Sequence, residues 1–269
     1  MLRVAGAIVY IAAVLLWLQP LKAEPLKLRV PDVSTTDYMI RLLTESLQKI
    51  GETVEFQRID PDFNMARQML LFETGDGLDL IWRGEDANLK EAFLEVDVDL
   101  TEGLKGYRVV FVNPEDVDLF RNVRTLEEFL ALGKVAALGA GWNDVDVWQA
   151  NGMRYLEFTG TWDPEIYQLL ALGGRGIDYF PRGITEITGE AQRHPELAVD
   201  PYLGLVYPND FRFYVTKSNV DLHRKLSKAL KLAEQDGTLS RLLRETNPLV
   251  FDKSGLNIDG RTVIELAMP

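Results

Sequence analysis

Between Leu26 and Gly84 the spacing of apolar residues switches back and forth between two periods. Leu26, Leu28 and Val30 alternate with charged residues, which is the period-two pattern of a half-buried strand. Met39, Leu43, Leu47 and Ile50 follow at helical spacing, and Gly51 suits the end of that helix. A strand is then expected at "TVEFQRI", a helix at "DFNMARQMLLFETG" and a strand at "LDLIWRG". A β-α-β-α-β order needs crossover helices and therefore implies a mostly parallel sheet covered on both faces.

The rhythm breaks once. "FLEVDVDLTEGLKGYRVVFVNPED" reads as two strand-like runs separated by Gly103 and Gly106 and closed by Pro114. Beyond it the alternation resumes through "KVAALGAGW", "MRYLEF" and "GIDYFPRG", each followed by a helical stretch. A last strand region, "LGLVYPNDFRFYVTKSN", leads into a helix whose face is Leu222, Leu226, Leu230 and Ala233. The tail from Asn247 is poorly patterned. Two β-α series joined by a break near residue 113 suggest an α/β protein of two lobes, and by pattern alone the final β-α segment fits either.

The N-terminus is expected to be a secretory signal, residues 1–23. "MLR" is a short basic start, Val4–Leu18 is uncharged and apolar, and Pro20 and Ala23 form a cleavage region. The apolar run is shorter than the ~20 residues that a spanning helix needs. The sequence reading therefore places the protein in the periplasm. There is no cysteine, so thiolate metal sites, cysteine nucleophiles and a bacterial lipid anchor are excluded. His194 and His223, the two histidines, stand at no metal-ligand spacing, and neither a metal nor a cofactor is expected. A formal net charge of -12 argues against nucleic acid, whose binding depends on neutralising phosphates. It leaves room for a basic pocket that takes a small anion.

In order, these segments resemble the type II periplasmic solute-binding proteins, in particular the family 3 receptors of amino-acid ABC transporters. The resemblance rests on "RTLEEFLALGKVAALGAGW", "GRGIDYFPRG" and the closing "FRFYVTKSNVDLHRKLSKALKLAEQDGTLSRLL", with Lys217, Asn219, Leu226, Asp236 and Gly237 at family positions. It covers nearly all of the chain after Ala23. It implies an α/β fold of two lobes, two mixed sheets flanked by helices, joined by two crossing strands with the C-terminal helices returning to the first lobe. The implied boundaries are residues 24–112 with 205–269 for the first lobe and 113–204 for the second, and the lobes close by a hinge motion on a small solute held in the cleft between them. The implied role is a monomeric receptor that hands the solute to an inner-membrane ABC permease or reports it to a membrane sensor. Some relatives dehydrate cyclic carboxylic acids in the cleft, as cyclohexadienyl dehydratase does, and Glu186 is the acid-base candidate for such a reaction.

Two departures from the family pattern bear on the ligand. Family members carry Thr-x-x-Arg after the third strand to grip an α-carboxylate. Here Ala87 and Lys90 stand at those positions, with Arg83 nearby as a substitute. The acid that holds the α-ammonium is replaced by Arg182, which repels an ammonium. The resemblance therefore implies a small polar, anionic solute in place of an amino acid.

The candidate ligand residues are Tyr38, Trp82, Arg83, Lys90, Trp142, Asn143, Asp144, Phe180 and Arg182. Arg182 closes a strand before a helix start, where free N–H groups also favour an anion. An internal ion pair with Asp178, Glu186 or Glu190 is the alternative. In "GAGWND", Trp142 is either a stacking platform or a packing residue, and Asn143 or Asp144 is placed to cap the following helix. Tyr38 and Trp82 are cleft aromatics or core. Tyr207 and Phe213 are read as packing.

Overall fold

In the computed structural model the described residues are 24–33, 35–59, 65–75, 77–84, 87–159, 162–174 and 176–269. The expected signal segment lies outside them. Among them no helix is long and apolar enough to cross a membrane.

The opening alternation folds as expected. Strand β1 (Leu26–Pro31) precedes helix α1 (Thr36–Gln48), β2 (Val54–Ile59), α2 (Met65–Glu73) and β3 (Ile81–Gly84). β1 and β2 pair in parallel with Leu28 opposite Phe56. Helix α3 (Ala87–Ala92) and strand β4 (Leu94–Val96) follow. A 3₁₀ turn, Leu104–Gly106, leads into β5 (Tyr107–Val112).

The second series is α4 (Leu126–Ala131), β6 (Val135–Gly139), α5 (Asn143–Ala150), β7 (Arg154–Phe158), α6 (Trp162–Ala171), β8 (Phe180–Gly183) and α7 (Ile187–Arg193). Short β9 (Ala198–Val199) comes next. The last strand region is two strands, β10 (Leu203–Val206) and β11 (Phe211–Val215), interrupted at Tyr207–Asp210. Helices α8 (Val220–Gln235), α9 (Thr238–Thr246) and α10 (Pro248–Phe251) follow, and β12 (Thr262–Glu265) ends the described order. The unpatterned tail thus holds a helix and a strand.

Ladder pairing gives β1–β2, β3–β11–β4, β6–β7, and β12–β10–β5–β8 with β9 on β5. Two backbone contacts join these pieces into larger surfaces. Asp79 N–H donates to Arg29 O at 3.0 Å, which brings the chain entering β3 alongside β1. Ala137 N–H donates to Tyr179 O at 2.9 Å, which sets β6 beside the chain entering β8. The result is a first sheet of β1–β4 and β11, and a second of β5–β10 and β12. The chain passes from the first to the second through residues 97–106 and returns through 207–210.

The sequence of β5 reflects its place. Val109 and Phe111 join the apolar cluster that contains Leu28, Met39, Trp82, Phe213 and Leu226. Val110 and Val112 join a second cluster around Phe120, Phe129, Trp148, Tyr179 and Ile264. A strand buried on both faces needs an unbroken apolar run, and "YRVVFV" supplies it except at Arg108.

At the crossing the two passes touch backbone to backbone. A Cβ built on Gly106 would lie 2.0 Å from Tyr207 O, so only glycine fits. Asp210 fastens the same point. Its carboxylate accepts from Thr101 N–H at 2.9 Å, Thr101 Oγ1 at 2.7 Å and Gly103 N–H at 2.6 Å. Burial pushes the Asp210 carboxyl above its ordinary range, against those same donors.

Candidate functional site

A cleft of about 700 Å³ opens where the two passes meet. One wall comes from the chain after β1 and from α1, with Val33, Thr35, Asp37, Tyr38 and Met39, joined by Trp82 and Arg83 of β3. The crossing supplies Thr101, Leu104 and Lys105, and β5 supplies Arg108. Beyond β8 stand Gly183, Thr185 and Glu186; Phe211 and residues of α9 complete the lining. The wall therefore draws on both sheets, and its volume is in the range of small-molecule sites.

Three of the nine residues expected from sequence line it. Tyr38 Oη donates to Leu100 O at 2.5 Å. Burial, with the Asp210 and Glu102 carboxylates adding to it, raises its pKa and keeps it a neutral phenol. Trp82 is 1% exposed; its Nε1 donates to Thr35 Oγ1 at 2.8 Å and its ring meets Phe213 edge-on. Arg83 donates to Gln68 Oε1 at 3.0 Å and to Trp82 O at 3.2 Å. Its Nε is buried with no partner among the described residues, and burial lowers its pKa.

The other six lie outside this lining. Lys90 on α3 pairs with Glu95 at 3.3 Å. Asn143 is exposed at the start of α5, whose N-cap is Trp142 without a side-chain bond, so neither Asn143 nor Asp144 caps that helix. Trp142 stacks on Phe180 with centroids 6.1 Å apart, and the Arg182 guanidinium lies 5.0 Å from the Trp142 ring centroid. Arg182 itself grips Glu190 in two parallel bonds, Nε to Oε2 at 2.8 Å and Nη2 to Oε1 at 2.6 Å. Glu186 approaches Arg182 at 3.2 Å. Of the three acids open to Arg182, the structure joins it to Glu190 and Glu186; Asp178 pairs with Lys134 at 2.9 Å instead. The expected guanidinium facing a ligand is here a guanidinium filled by carboxylates.

Asp144 has a different task. It accepts from Arg108 Nε at 2.6 Å and from Tyr207 Oη at 3.0 Å. Arg108 also donates to Tyr207 Oη and, through Nη1, to Lys105 O at 2.7 Å. Burial opposes the charge on Arg108, yet Asp144 prevails and raises its pKa. Lys105 runs the other way: burial first, then the Arg108 cation, lower its pKa. Its ammonium lies 5.1 Å from the centroid of the Phe211 ring.

Lys105 and Arg108 are the cleft cations that the sequence reading missed. The available signal was one basic residue between two glycines and one inside an otherwise apolar strand. The histidines hold local contacts: His194 stacks on Tyr167 at 3.6 Å, and His223 Nε2 meets Glu95 O at 2.8 Å.

No family model matches the chain, and no curated protein matches it. Solved structures do. A Bacillus subtilis protein, YckB, aligns over 82% of this chain and 90% of its own at 19% identity, with a TM-score of 0.54. The ancestral amino acid-binding protein AncCDT-1, described as a precursor of cyclohexadienyl dehydratase, aligns over 82% and 94% at 16% identity and a TM-score of 0.51. The amino acid ABC transporter substrate-binding protein AbpA from Streptococcus pneumoniae, bound to L-arginine, aligns over 84% and 97% at 13% identity and 0.50. At these identities the likeness establishes the fold. The chain has the two-lobed α/β fold of the type II periplasmic binding proteins.

Proposed function

We propose that this is a solute-binding protein that captures a small polar, anionic solute in the cleft between its lobes and delivers it to an inner-membrane ABC importer. The supporting observation is the composition of the cleft wall, which draws on both sheets and presents Arg83, Lys105 and Arg108. The similar structures include amino-acid-binding proteins of ABC transporters, and the same role is carried over to this chain. The lobes proposed divide at the crossing: the first sheet, β1–β4 and β11, with its helices forms one, and residues 107–206 with β12 form the other, so β5 and β12 move out of the first lobe in which the expected boundaries at 112 and 205 put them. The protein is proposed to work as a monomer in the periplasm after removal of residues 1–23.

The site proposed differs from the sequence-based one. Tyr38, Trp82 and Arg83 stay, Lys105 and Arg108 join them, and Arg182 becomes the brace of the wall that carries Glu186.

A cleft enzyme is the second reading. Glu186 in the cleft wall is the observation that favours it, together with the likeness to a dehydratase precursor. A thermal-shift screen against a metabolite library tests the receptor reading, because a ligand that binds only the native state raises the melting temperature. A compound that is bound and recovered unchanged supports the receptor; one that is turned over supports the enzyme. Mass spectrometry of a periplasmic extract should show Glu24 as the first residue.

A further inference from the structure

The charges in the cleft wall do not balance, and the imbalance carries information about the solute. This inference rests on the receptor reading. Each carboxylate in the wall already faces an arginine. Asp37 accepts from Arg58, and Glu186 stands 3.2 Å from Arg182. One cation is likewise spent: Arg108 is bound to Asp144, with side chains only 12% and 11% exposed.

Two cations remain. Among the described residues neither Arg83 nor Lys105 has a carboxylate within ion-pair distance. Arg83 gives its Nη atoms to neutral oxygens, and its buried Nε has no partner. Among the described residues the Lys105 ammonium has no hydrogen-bond partner, and it rests near the Phe211 ring. Its nearest opposing charges, Asp144, Asp210 and Glu186, act at longer range and do not outweigh burial and Arg108. The fold makes room for this lysine. A Cβ on Gly84 would lie 3.2 Å from Lys105 Nζ and 3.3 Å from its Cε, so glycine next to Arg83 leaves the ammonium its place.

A half-buried cation without a counterion costs free energy, and a bound anion that accepts its hydrogen bonds recovers it. An incoming ammonium would meet two uncompensated cations, with Asp37 held by Arg58 and only the largely exposed Glu186, beside the Arg182–Glu190 pair, to receive it. We infer that the solute is a small dicarboxylate without an α-amino group, one carboxylate received by Arg83 and the other by Lys105. The two cations enter from different elements, β3 and the crossing turn, which favours two separated anionic groups over one. Apolar lining from Leu104, Phe211 and Leu243 suits the methylenes between them.

The test is isothermal titration calorimetry of the full chain with succinate, glutarate and adipate, against butyrate and L-glutamate. At least one dicarboxylate should bind about tenfold or more tightly than butyrate, since losing one charged hydrogen-bonded partner costs at least a factor of ten. L-Glutamate should bind no more tightly than glutarate. Lys105→Met and Arg83→Met should each reduce the dicarboxylate affinity toward that of butyrate, and Lys105→Arg should retain part of it. Gly84→Val, which displaces Lys105 without removing its charge, should mimic Lys105→Met. Circular dichroism and melting temperature establish that each variant is folded.

Tighter binding of L-glutamate than of every dicarboxylate overturns the inference, as does a folded Lys105→Met with unchanged dicarboxylate affinity. So does binding of none of these acids while the metabolite screen finds another solute; in that case the receptor reading stands. If no metabolite shifts the melting temperature at all, the receptor reading itself fails.

Discussion

Arg108 donates from Nε to Asp144 Oδ1 at 2.6 Å, and the pair ties strand β5 to the first turn of α5 at the base of the cleft. Tyr207 bonds to both partners, so β5 and the returning pass of the chain are attached to the same carboxylate. Side-chain exposures of 12% and 11% put the pair among buried ones. Asp144→Asn should therefore lower the unfolding free energy by about 3 kcal/mol, the order expected when a buried cation loses its counterion. Urea unfolding measures it. A loss below about 1 kcal/mol would mean that the pair behaves as a surface contact.

Arg182→Ala should act on stability more than on binding. The guanidinium is held by Glu190, and their side chains are 11% and 7% exposed. Removing it leaves a buried carboxylate unpaired, at a cost of about 3–5 kcal/mol. Glu190→Gln should cost a similar amount, and the double variant Arg182→Met with Glu190→Met should recover much of the loss. Solute affinity in the folded double variant should change by less than about tenfold, as expected where no ligand contact has been removed. A well-folded Arg182→Ala that no longer binds would restore this arginine as a ligand residue.

Much of this fold was legible because period two and period 3.6 are local properties. The opening strands and helices fell where their apolar spacing put them, and Gly103 and Gly106 marked the break where the chain changes sheets. The choice between Asp178 and Glu190 for Arg182 was not local in that sense. Asp178 stands just ahead of β8 and is held by Lys134, just ahead of β6. Glu190 reaches Arg182 from α7, beyond the turn that follows β8. Lys105 and Arg108 escaped notice for the same reason: their meaning depends on which distant residues neutralise them. β12 was hidden in a tail whose pairing with β10 leaves little alternation to read.

Gly106→Ala should be among the most damaging single changes. The added methyl would fall 2.0 Å from Tyr207 O, a backbone atom, and its own position is fixed by the backbone of residue 106. No rotamer change relieves such a clash, so the two passes must separate. A loss of about 4 kcal/mol or more is the exceptional class reserved for such mechanisms. Soluble expression and melting temperature give the readout, and a variant with wild-type stability would show that the passes do not touch as described.

The junction of α8 and α9 should weaken in acid. Asp236 accepts from Lys49 Nζ at 2.6 Å and from Thr238, and these bonds push its pKa from 3.8 down to about 2. A carboxylate with a depressed native pKa contributes stability above its unfolded pKa and loses it as pH falls through the folded one. The contribution should be complete above 3.8 and gone below about 2. Lys49→Met should narrow that window. Melting temperatures of the two proteins should differ at neutral pH and converge in strong acid. A difference that persists below the window would point to lost packing of the lysine stem instead.

Solute binding should draw the lobes together. The passes at 97–106 and 207–210 are short, joined at Gly106 and fastened by Asp210, which is the form of a hinge. The cleft wall carries two cations without a carboxylate partner among the described residues, Arg83 on the first sheet and Lys105 on the turn that leads into the second, while Arg108 is neutralised by Asp144. The like charges of Arg83 and Lys105 oppose their approach, and an anion placed between them removes the repulsion and attracts both. Small-angle scattering should show a smaller radius of gyration at saturation with the solute than in its absence. Because the solute is held between Arg83 and the crossing turn at Lys105, a Lys105→Met protein saturated at higher concentration should close less completely. Raising the salt concentration without solute should reproduce only part of the change, since screening weakens repulsion but bridges nothing. An unchanged radius at saturation, with binding shown by calorimetry on the same sample, would leave a cleft that binds without closing.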